Sequence, residues 1–296
     1  MTAKTKAEAA LLGTTLIWGG TFVAMKIGLQ DISSLLLIAI RFLVAALFFL
    51  ALFGRSIFPI PASAAIKGSI LGLFLFLGFA AQTIGLNYTT ASKSAFITGM
   101  MVVFTPLLQF VIEKRAPNFG NILGVVLAAV GLWFLTSPAG SEFNIGDALT
   151  IVCAFMFGVY IVYLDITSKE MTALQLTFLQ TASVSVFAWI GVVGFQSFTF
   201  AVTPSALISL AYLTLLATIL TTYVQTRFQK DTTPTRAVII FTIEPVLASI
   251  YAYFILSERI SEFGILGGSL IIAGVLISEL SDSIPLLSAS FDTKEP

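Results

Sequence analysis

The sequence contains no histidine and only one cysteine, Cys153, in 296 residues. The lack of histidine excludes histidine–metal centres, Ser–His catalytic pairs and imidazole proton relays. A single cysteine excludes an internal disulfide framework. Because Cys153 stands in an apolar run, we expect a small core residue there. No metal or other cofactor is predicted.

Charged residues are also scarce. They make up 10% of the chain, whereas soluble globular domains average about 25%. Hydrophobic residues make up 57%, and the mean hydropathy is +1.01. This composition excludes a water-soluble domain, and a net charge of zero offers nothing to nucleic acid. We therefore predict a protein whose surroundings are the lipid bilayer and which binds no nucleic acid.

Ten apolar segments have about the length, some 20 residues, that crosses roughly 30 Å of hydrocarbon. Their approximate limits are 8–28, 34–53, 66–87, 91–112, 119–137, 146–165, 172–194, 205–226, 235–256 and 261–280. Backbone amides in lipid must be hydrogen-bonded internally, and these segments lack the alternation of barrel strands. The sequence therefore predicts an all-α integral membrane protein with ten transmembrane helices.

Lys and Arg are distributed unequally between the two sides of this predicted bundle. Eleven lie on the side of the N-terminus: Lys4, Lys6, Arg55, Lys67, Lys114, Arg115, Lys169, Arg227, Lys230, Arg236 and Lys294. Three lie on the opposite, outer side: Lys26, Lys93 and Arg259. The positive-inside rule then places both termini in the cytoplasm, in a bacterial-type cytoplasmic (inner) membrane. Lys26 and Lys93 are expected to extend their ammonium groups to the interface.

The chain resembles itself at a shift of about 140 residues, which indicates a duplication. "TTASKSA" at 89–95 matches "TTPTRA" at 232–237, and Arg41 falls opposite Gln180. The corresponding glycines are Gly124 and Gly131 with Gly267 and Gly274, and Gly19–Gly20 with Gly158.

Five helices per repeat is an odd number, so the second repeat must enter the membrane from the opposite face. The sequence therefore predicts a first five-helix repeat over 1–140, an inverted repeat over 141–285 and a cytoplasmic tail over 286–296. Inverted repeats are typical of secondary transporters, whose substrate site lies near the membrane midplane between the repeats.

Three stretches carry a resemblance to a known family: "GTTLIWGGTFVAMKIGL" near the start, "NYTTASKSAFITG" before the fourth segment, and "EPVLASIYAYFILSERISEFGILGGSLIIAGVLI" at 244–277. Together they resemble the EamA-type branch of the drug/metabolite transporter superfamily, and most of all its YddG-type exporters of aromatic and other neutral amino acids. The repeats differ at one point. Pro106 precedes Glu113 by seven residues, whereas Pro245 precedes Glu258 by thirteen.

The resemblance implies that helices 1, 3, 4, 6, 8 and 9 surround a central substrate path. Their polar and aromatic residues are the predicted path residues: Trp18, Thr21, Gln82, Asn87, Thr98, Tyr160, Tyr163, Thr221, Tyr223, Gln225, Thr242 and Glu244. Aromatic walls suit an apolar side chain and can hold an ammonium over a ring face. The alternative for the aromatics is packing, and for Gln82 and Gln225 interhelical hydrogen bonding. A structural role is expected for Arg41.

Glu244 and Pro245 interrupt an otherwise apolar segment. Proline cannot donate to the carbonyl four residues earlier, so a bend is predicted near 241–245. A carboxylate in lipid is costly, so this helix face should point inward. Glu244 then either lines the path and holds an ammonium or a proton, or is a structural pin bonded to backbone groups or to Arg236.

The glycines of these segments have two predicted roles. Gly19, Gly20 and Gly158, together with Pro245, are predicted hinge or gate residues. Gly124, Gly131, Gly267 and Gly274 are predicted packing residues, because small residues let helix backbones approach closely.

The predicted function is a secondary transporter that exports small neutral or zwitterionic metabolites, such as amino acids, by alternating access. Anionic phosphates are poor substrates for segments that offer Arg41 and little other positive charge, since phosphate sites use several cations. The alternatives are an efflux carrier for lipophilic cations and, in a different class, a channel or scramblase. An enzyme is not predicted, because histidine and paired intramembrane acids are lacking. The expected partner is a small-molecule substrate, and the chain is expected to be a monomer or weak homodimer.

Overall fold

The structure is a computed structural model that describes residues 3–113, 119–136, 143–195, 198–232 and 234–280. Within these ranges the regular elements are helices, and β-type pairing is limited to one isolated bridge between Ile32 and Phe200. The all-α prediction is confirmed for this part of the chain. The predicted tail at 286–296 lies outside the described residues.

The α-helices follow one another along the chain with short connections. They are α1 (Ala3–Gly19), α2 (Thr21–Gly28), α3 (Ser34–Ile57), α4 (Ala62–Gly85), α5 (Ala91–Gly99), α6 (Met101–Glu113), α7 (Phe119–Thr136), α8 (Ile145–Ser168), α9 (Ala173–Phe195), α10 (Pro204–Ala211), α11 (Thr221–Phe228), α12 (Pro234–Phe241), α13 (Ile243–Leu256) and α14 (Glu262–Leu280). A π-helical stretch, Tyr212–Leu220, joins α10 to α11, and a 3-10 turn, Gln229–Asp231, follows α11.

Seven helical stretches in the described residues are long and apolar enough to cross a membrane. They are Ala3–Gly28, Ser34–Ile57, Ala62–Gly85, Ala91–Gln109, Ile145–Ser168, Ala173–Phe195 and Pro204–Asp231. These coincide with predicted segments one to four and six to eight. Predicted segments five, nine and ten correspond to shorter apolar stretches, at Ile122–Gly131, Ile243–Leu256 and Glu262–Gly274.

The first of these stretches is broken at Gly20, between α1 and α2. The carbonyl of Ile17 accepts a hydrogen bond from the Gly20 amide (3.1 Å) and another from the Tyr212 hydroxyl (2.6 Å). A Cβ at position 20 would collide with that hydroxyl. A side chain inserted into the helix ladder is a recognised cause of a kink, and here glycine makes room for it.

Two further breaks lie at corresponding places in the two sequence repeats. α5 gives way to α6 at Met100, and α12 gives way to α13 at Thr242, inside the stretch predicted to bend. Pro245 is the third residue of α13, where a missing N–H leaves no intrahelical bond unmade. The matching break at Met100 has no proline at the corresponding place. Proline is therefore not the shared cause of the two breaks.

Glycines mark the closest helix contacts. A Cβ on Gly131 of α7 would lie 2.6 Å from the carbonyl oxygen of Gly267 in α14, the helix against which α7 packs most extensively. A Cβ on Gly19 would lie 2.6 Å from the Leu247 Cβ, and one on Gly158 would lie 3.3 Å from the Phe104 Cβ. Neither backbone pair could approach so closely with larger residues.

Gly131→Ala is therefore expected to destabilise the fold. The added methyl group meets backbone rather than a flexible side chain, and overpacking of this kind costs about 1–3 kcal/mol. We expect a lower melting temperature in detergent, measured by intrinsic fluorescence.

The matched control is Gly13→Ala. A Cβ on Gly13 meets nothing within 4 Å, so alanine there should leave the melting temperature unchanged or raise it slightly. Equal melting temperatures for the two variants would contradict the tight α7–α14 contact.

Candidate functional site

A partly open cavity lies in the interior of the bundle. Residues from helices of both sequence repeats line it. Seven of them are predicted path residues: Trp18, Thr21, Gln82, Thr98, Tyr160, Gln225 and Glu244. The others are Arg41, Leu75, Phe79, Met101, Phe157, Ile161 and Phe241.

Aromatic rings form much of the cavity wall. Trp18 meets Phe241 edge to face, with ring centroids 5.1 Å apart, and its indole N–H donates to the Thr221 hydroxyl at 3.0 Å. Phe79 meets Phe157 in the same way at 5.2 Å. These contacts fix the rings, so the wall is preformed and suits an apolar group.

Glu244 is the acidic residue of the cavity. It is the second residue of α13 and only 8% exposed. Among the described residues its carboxylate has no hydrogen-bond or ion-pair partner, and the side chain of Arg236 is outside them. The N-terminal end of a helix favours a negative charge, which offsets part of the cost of burial. Among the described residues, Glu244 has no side-chain bond to backbone, and its predicted bond to Arg236 lies outside them.

Arg41 is the basic residue of the cavity and is 2% exposed. Its Nη2 donates to the Ala217 carbonyl at 2.9 Å, and its Nε donates to the Thr218 hydroxyl. The guanidinium carbon lies 4.7 Å from the Phe79 ring centroid and 5.2 Å from that of Phe42. Arg41 thus faces the cavity while two neighbours hold it in place.

A network of amides borders the cavity toward the ends of α8 and α11. The Tyr160 hydroxyl donates to Gln180 at 2.9 Å, and the Gln180 amide donates to the Thr226 hydroxyl at 2.8 Å. The Gln225 amide donates to Gln229 at 2.9 Å, and Gln229 donates to the Ile161 carbonyl. Elsewhere on the wall, Gln82 donates to Thr98 at 3.2 Å. The predicted interhelical bonding of Gln82 therefore coexists with lining the cavity.

The remaining predicted path residues lie outside the cavity lining. Asn87 is exposed and donates to Ser34, Tyr163 meets the Phe74 ring edge at 5.7 Å, and Tyr223 packs on Phe49 at 6.3 Å. Thr221 accepts the hydrogen bond from the Trp18 indole, and Thr242 is buried at the break before α13.

A cluster of charges lies where α5 and α8 begin. The Lys93 ammonium lies 2.7 Å from the Asp147 carboxylate, and both side chains are buried. Asp147 also accepts from the Thr89 hydroxyl and from the Asn144 amide. The interfacial placement predicted for Lys93 is therefore wrong, because a carboxylate at the start of α8 lies within its reach.

Two more charged residues belong to the same cluster. Glu258 follows α13 and accepts from the backbone amides of Ala91 (2.9 Å) and Ser92 (3.0 Å), the first residues of α5. Lys26 donates to the Leu86 and Thr89 carbonyls, both at 2.6 Å, so it too is bound within the protein and not extended to the interface. The outer cluster, defined by Lys26, Lys93, Asp147 and Glu258, ties α2, α5, α8 and α13 together.

Comparison with known proteins assigns the chain to a family. The model of the EamA-like transporter family matches the chain twice, over residues 5–137 and 144–280. The chain belongs to the EamA-like transporter family. It is accordingly a multi-pass membrane protein of a transporter family.

Its relatives agree with this assignment. An uncharacterized transporter of Archaeoglobus fulgidus is 31% identical over 93% of this chain and 86% of its own length. The uncharacterized transporter YoaV of Bacillus subtilis is 25% identical over 94% of this chain and 98% of its own length. A solved protein crystal structure superposes with a TM-score of 0.71 at 15% identity, over 94% of this chain and 97% of that one, which shows a shared fold.

The transporter's cavity includes residues that the sequence did not single out. Phe79, Phe157 and Phe241 are ordinary apolar residues of apolar segments, and nothing in the sequence separates them from lipid-facing phenylalanines. Arg41 did carry a signal, since an intramembrane charge indicates a functional site by default.

The Lys93–Asp147 pair yields a stability prediction. Lys93→Met leaves the buried Asp147 carboxylate without its cation, and breaking a buried ion pair costs about 3–5 kcal/mol. We expect a clearly lower melting temperature in detergent. The double variant Lys93→Met/Asp147→Asn should recover part of the loss, because no unpaired carboxylate remains.

The exposed Lys67–Glu170 pair supplies the control. Lys67→Met should change the melting temperature little, since exposed pairs contribute little. If Lys93→Met is no worse than Lys67→Met, the outer cluster does not hold the helices together.

Proposed function

We propose that this protein is a secondary transporter that moves small neutral or zwitterionic metabolites, including aromatic and other amino acids, out of the cell by alternating access. The observation that carries the proposal is the interior cavity, which combines fixed aromatic rings with one buried acid, Glu244, and one buried base, Arg41. Such a lining fits a compact ligand with an apolar side chain and charges of both signs. The amino-acid class also rests on the resemblance to amino-acid exporters.

The architecture we propose for it is ten transmembrane helices in two inverted repeats of five. The exchange of contacts between the repeats supports this. Gly19 touches Leu247 of the second repeat, and Gly158 touches Phe104 of the first. At the shift of about 140 residues, Gly19 corresponds to Gly158 and Leu247 to Phe104. The family model also matches each half separately.

Alternation needs elements that can change shape, and the breaks in α1–α2, α5–α6 and α12–α13 lie beside the cavity. Two of them meet, since a Cβ on Gly99 would lie 3.1 Å from the Pro245 Cγ. The outer cluster joins helices of both halves, so we assign it as the closed outer gate. Export then requires it to open, with both termini in the cytoplasm and the chain in an inner membrane.

The competing functions fit the cavity less well. A carrier of lipophilic cations would place its cargo beside the buried positive charge of Arg41. A carrier of phosphorylated metabolites would need more cations than this one guanidinium. A channel or scramblase does not require two halves that exchange equivalent contacts, whereas alternating access does.

Proteoliposomes that contain the purified protein test the proposal. We expect saturable uptake of labelled phenylalanine and threonine that is accelerated by unlabelled substrate on the far side, and no transport of a lipophilic cationic dye. Glu244→Gln keeps the size of the side chain and removes its charge and its titration. Transport should fall at least about tenfold, and its pH dependence should flatten, while the folded yield persists.

Glu262→Gln is the matched control, because Glu262 also lies in the first turn of a helix but is exposed. Uptake that rises linearly with concentration would contradict a carrier. Full transport by Glu244→Gln would remove Glu244 from the mechanism.

A second prediction concerns the aromatic wall. Trp18→Ala should weaken transport of phenylalanine several-fold more than transport of threonine, because only an aromatic side chain can stack on the indole. Trp18→Phe should retain most of the preference, since a ring remains.

Trp133→Ala is the control, as Trp133 lies on α7, is 56% exposed and does not line the cavity. An equal loss for both substrates in Trp18→Ala, at normal expression, would make Trp18 a packing residue and not a selector.

A further inference from the structure

We propose that Arg41 binds the carboxylate of the transported substrate, and that Glu244 receives its ammonium group. The inference deepens the proposed function and rests on it. It assigns Arg41 a binding role in place of the structural role that the sequence predicts, and it restricts the substrate to compounds that carry a carboxylate.

The first step is the geometry of the guanidinium. Nε and one hydrogen of Nη2 are used by Thr218 and the Ala217 carbonyl. Nη1 has no hydrogen-bond partner among the described residues, and Arg41 lines the cavity. The end of the guanidinium formed by Nη1 and the second hydrogen of Nη2 is thus available for a carboxylate, which binds arginine through two parallel N–H···O bonds.

The second step is charge. The partners of Arg41 are a hydroxyl and a carbonyl, and no carboxylate of the described residues lies within the 4.0 Å of an ion pair. Glu244 lines the same cavity and likewise has no ion-pair partner among the described residues. Two opposite buried charges, each without a counter-ion and not paired with each other, are costly in an empty site. A ligand with both charges supplies each of them with its missing partner.

The third step is the support of the site. Ala217 and Thr218 belong to the π-helical stretch, and Thr218 donates to the Leu213 carbonyl five residues earlier while it accepts from Arg41. A π-helical register shifts carbonyls out of the usual ladder and is frequent at functional sites. The rings of Phe79 and Phe42 lie beside the guanidinium, with centroids 4.7 and 5.2 Å from its carbon. Arg41 is therefore fixed in orientation before a ligand arrives, which lowers the entropic cost of binding.

The experiment compares ligands on the wild-type protein first. Purified protein in detergent is loaded with labelled phenylalanine, and unlabelled phenylalanine, 3-phenylpropionate, phenylalaninol and phenylethylamine compete for it. The last two lack the carboxylate and should compete at least about tenfold more weakly than phenylalanine, the loss expected for a buried charge-assisted hydrogen-bond pair. Equal competition by phenylalaninol and phenylalanine overturns the proposal without any variant.

Variants then locate the effect. Arg41→Gln should weaken phenylalanine binding by about the same factor and leave phenylalaninol binding unchanged, while Arg41→Lys should be intermediate. Arg227→Gln is the control, because Arg227 pairs with Asp231 on the surface. An equal loss for both ligands in Arg41→Gln would show that Arg41 only supports the fold.

The two levels of the proposal fail differently. If no amino acid is transported in proteoliposomes and none binds, the proposed function and this site fall together. If phenylalanine is transported saturably but binding is indifferent to its carboxylate, only the assignment of Arg41 is lost.

Discussion

Hydrocarbon cannot hydrogen-bond, and the architecture of this transporter follows from that. Each backbone amide must be satisfied inside a helix, and each break in a helix must find substitutes for the bonds it loses. The break at Gly20 shows how: the Tyr212 hydroxyl reaches the Ile17 carbonyl across a gap that only a glycine leaves open. A helix broken in this way is stable only within protein or beside a cavity, so the breaks themselves mark the interior of the bundle.

The same constraint divides the buried charges into two groups. Lys93 and Asp147 neutralise each other, and Glu258 is neutralised by two amides at the start of α5. These charges sit at helix ends, where connecting them fixes one helix against the next. Arg41 and Glu244 line the cavity and have no ion-pair partner among the described residues. The first group holds helices against one another. The second places a positive and a negative charge in the cavity, and each can pair with an opposite charge on a ligand.

Hydropathy locates seven helical stretches of membrane-spanning length, because a run of about 20 apolar residues has few alternatives in a membrane protein; the other three predicted segments correspond to shorter apolar helices. The predicted path residues, which include half of the cavity lining, followed from the family resemblance, and the cost of a carboxylate in lipid added that Glu244 faces inward. Hydropathy could not identify Phe79 or Phe157, whose chemistry is the same on the lipid face as on the cavity wall. The partner of Lys93 was also invisible, because Asp147 lies in the other sequence repeat and only the packing of α5 against α8 brings the two together. The sequence attributes the bend near 241–245 to Pro245, but Pro245 lies in the first turn of α13, where proline is tolerated, and the matching break at Met100 has no proline.

In the proposed alternating-access mechanism, the substrate must drive a conformational change in a tightly packed bundle, and the positions of Arg41 and Glu244 provide a route for it. A ligand shifts an equilibrium between two conformations only by the difference in its affinity for them. Arg41 is on α3 and is held by the π-helical stretch, whereas Glu244 is on α13, next to the point where Gly99 and Pro245 meet. A ligand that engages both charges therefore links the first repeat to the broken helix of the second. α13 leads directly to Glu258, the residue that caps α5 in the outer cluster, so this one helix connects the cavity to the outer cluster. In the proposed mechanism, binding in the cavity and opening of the outer cluster are coupled through it.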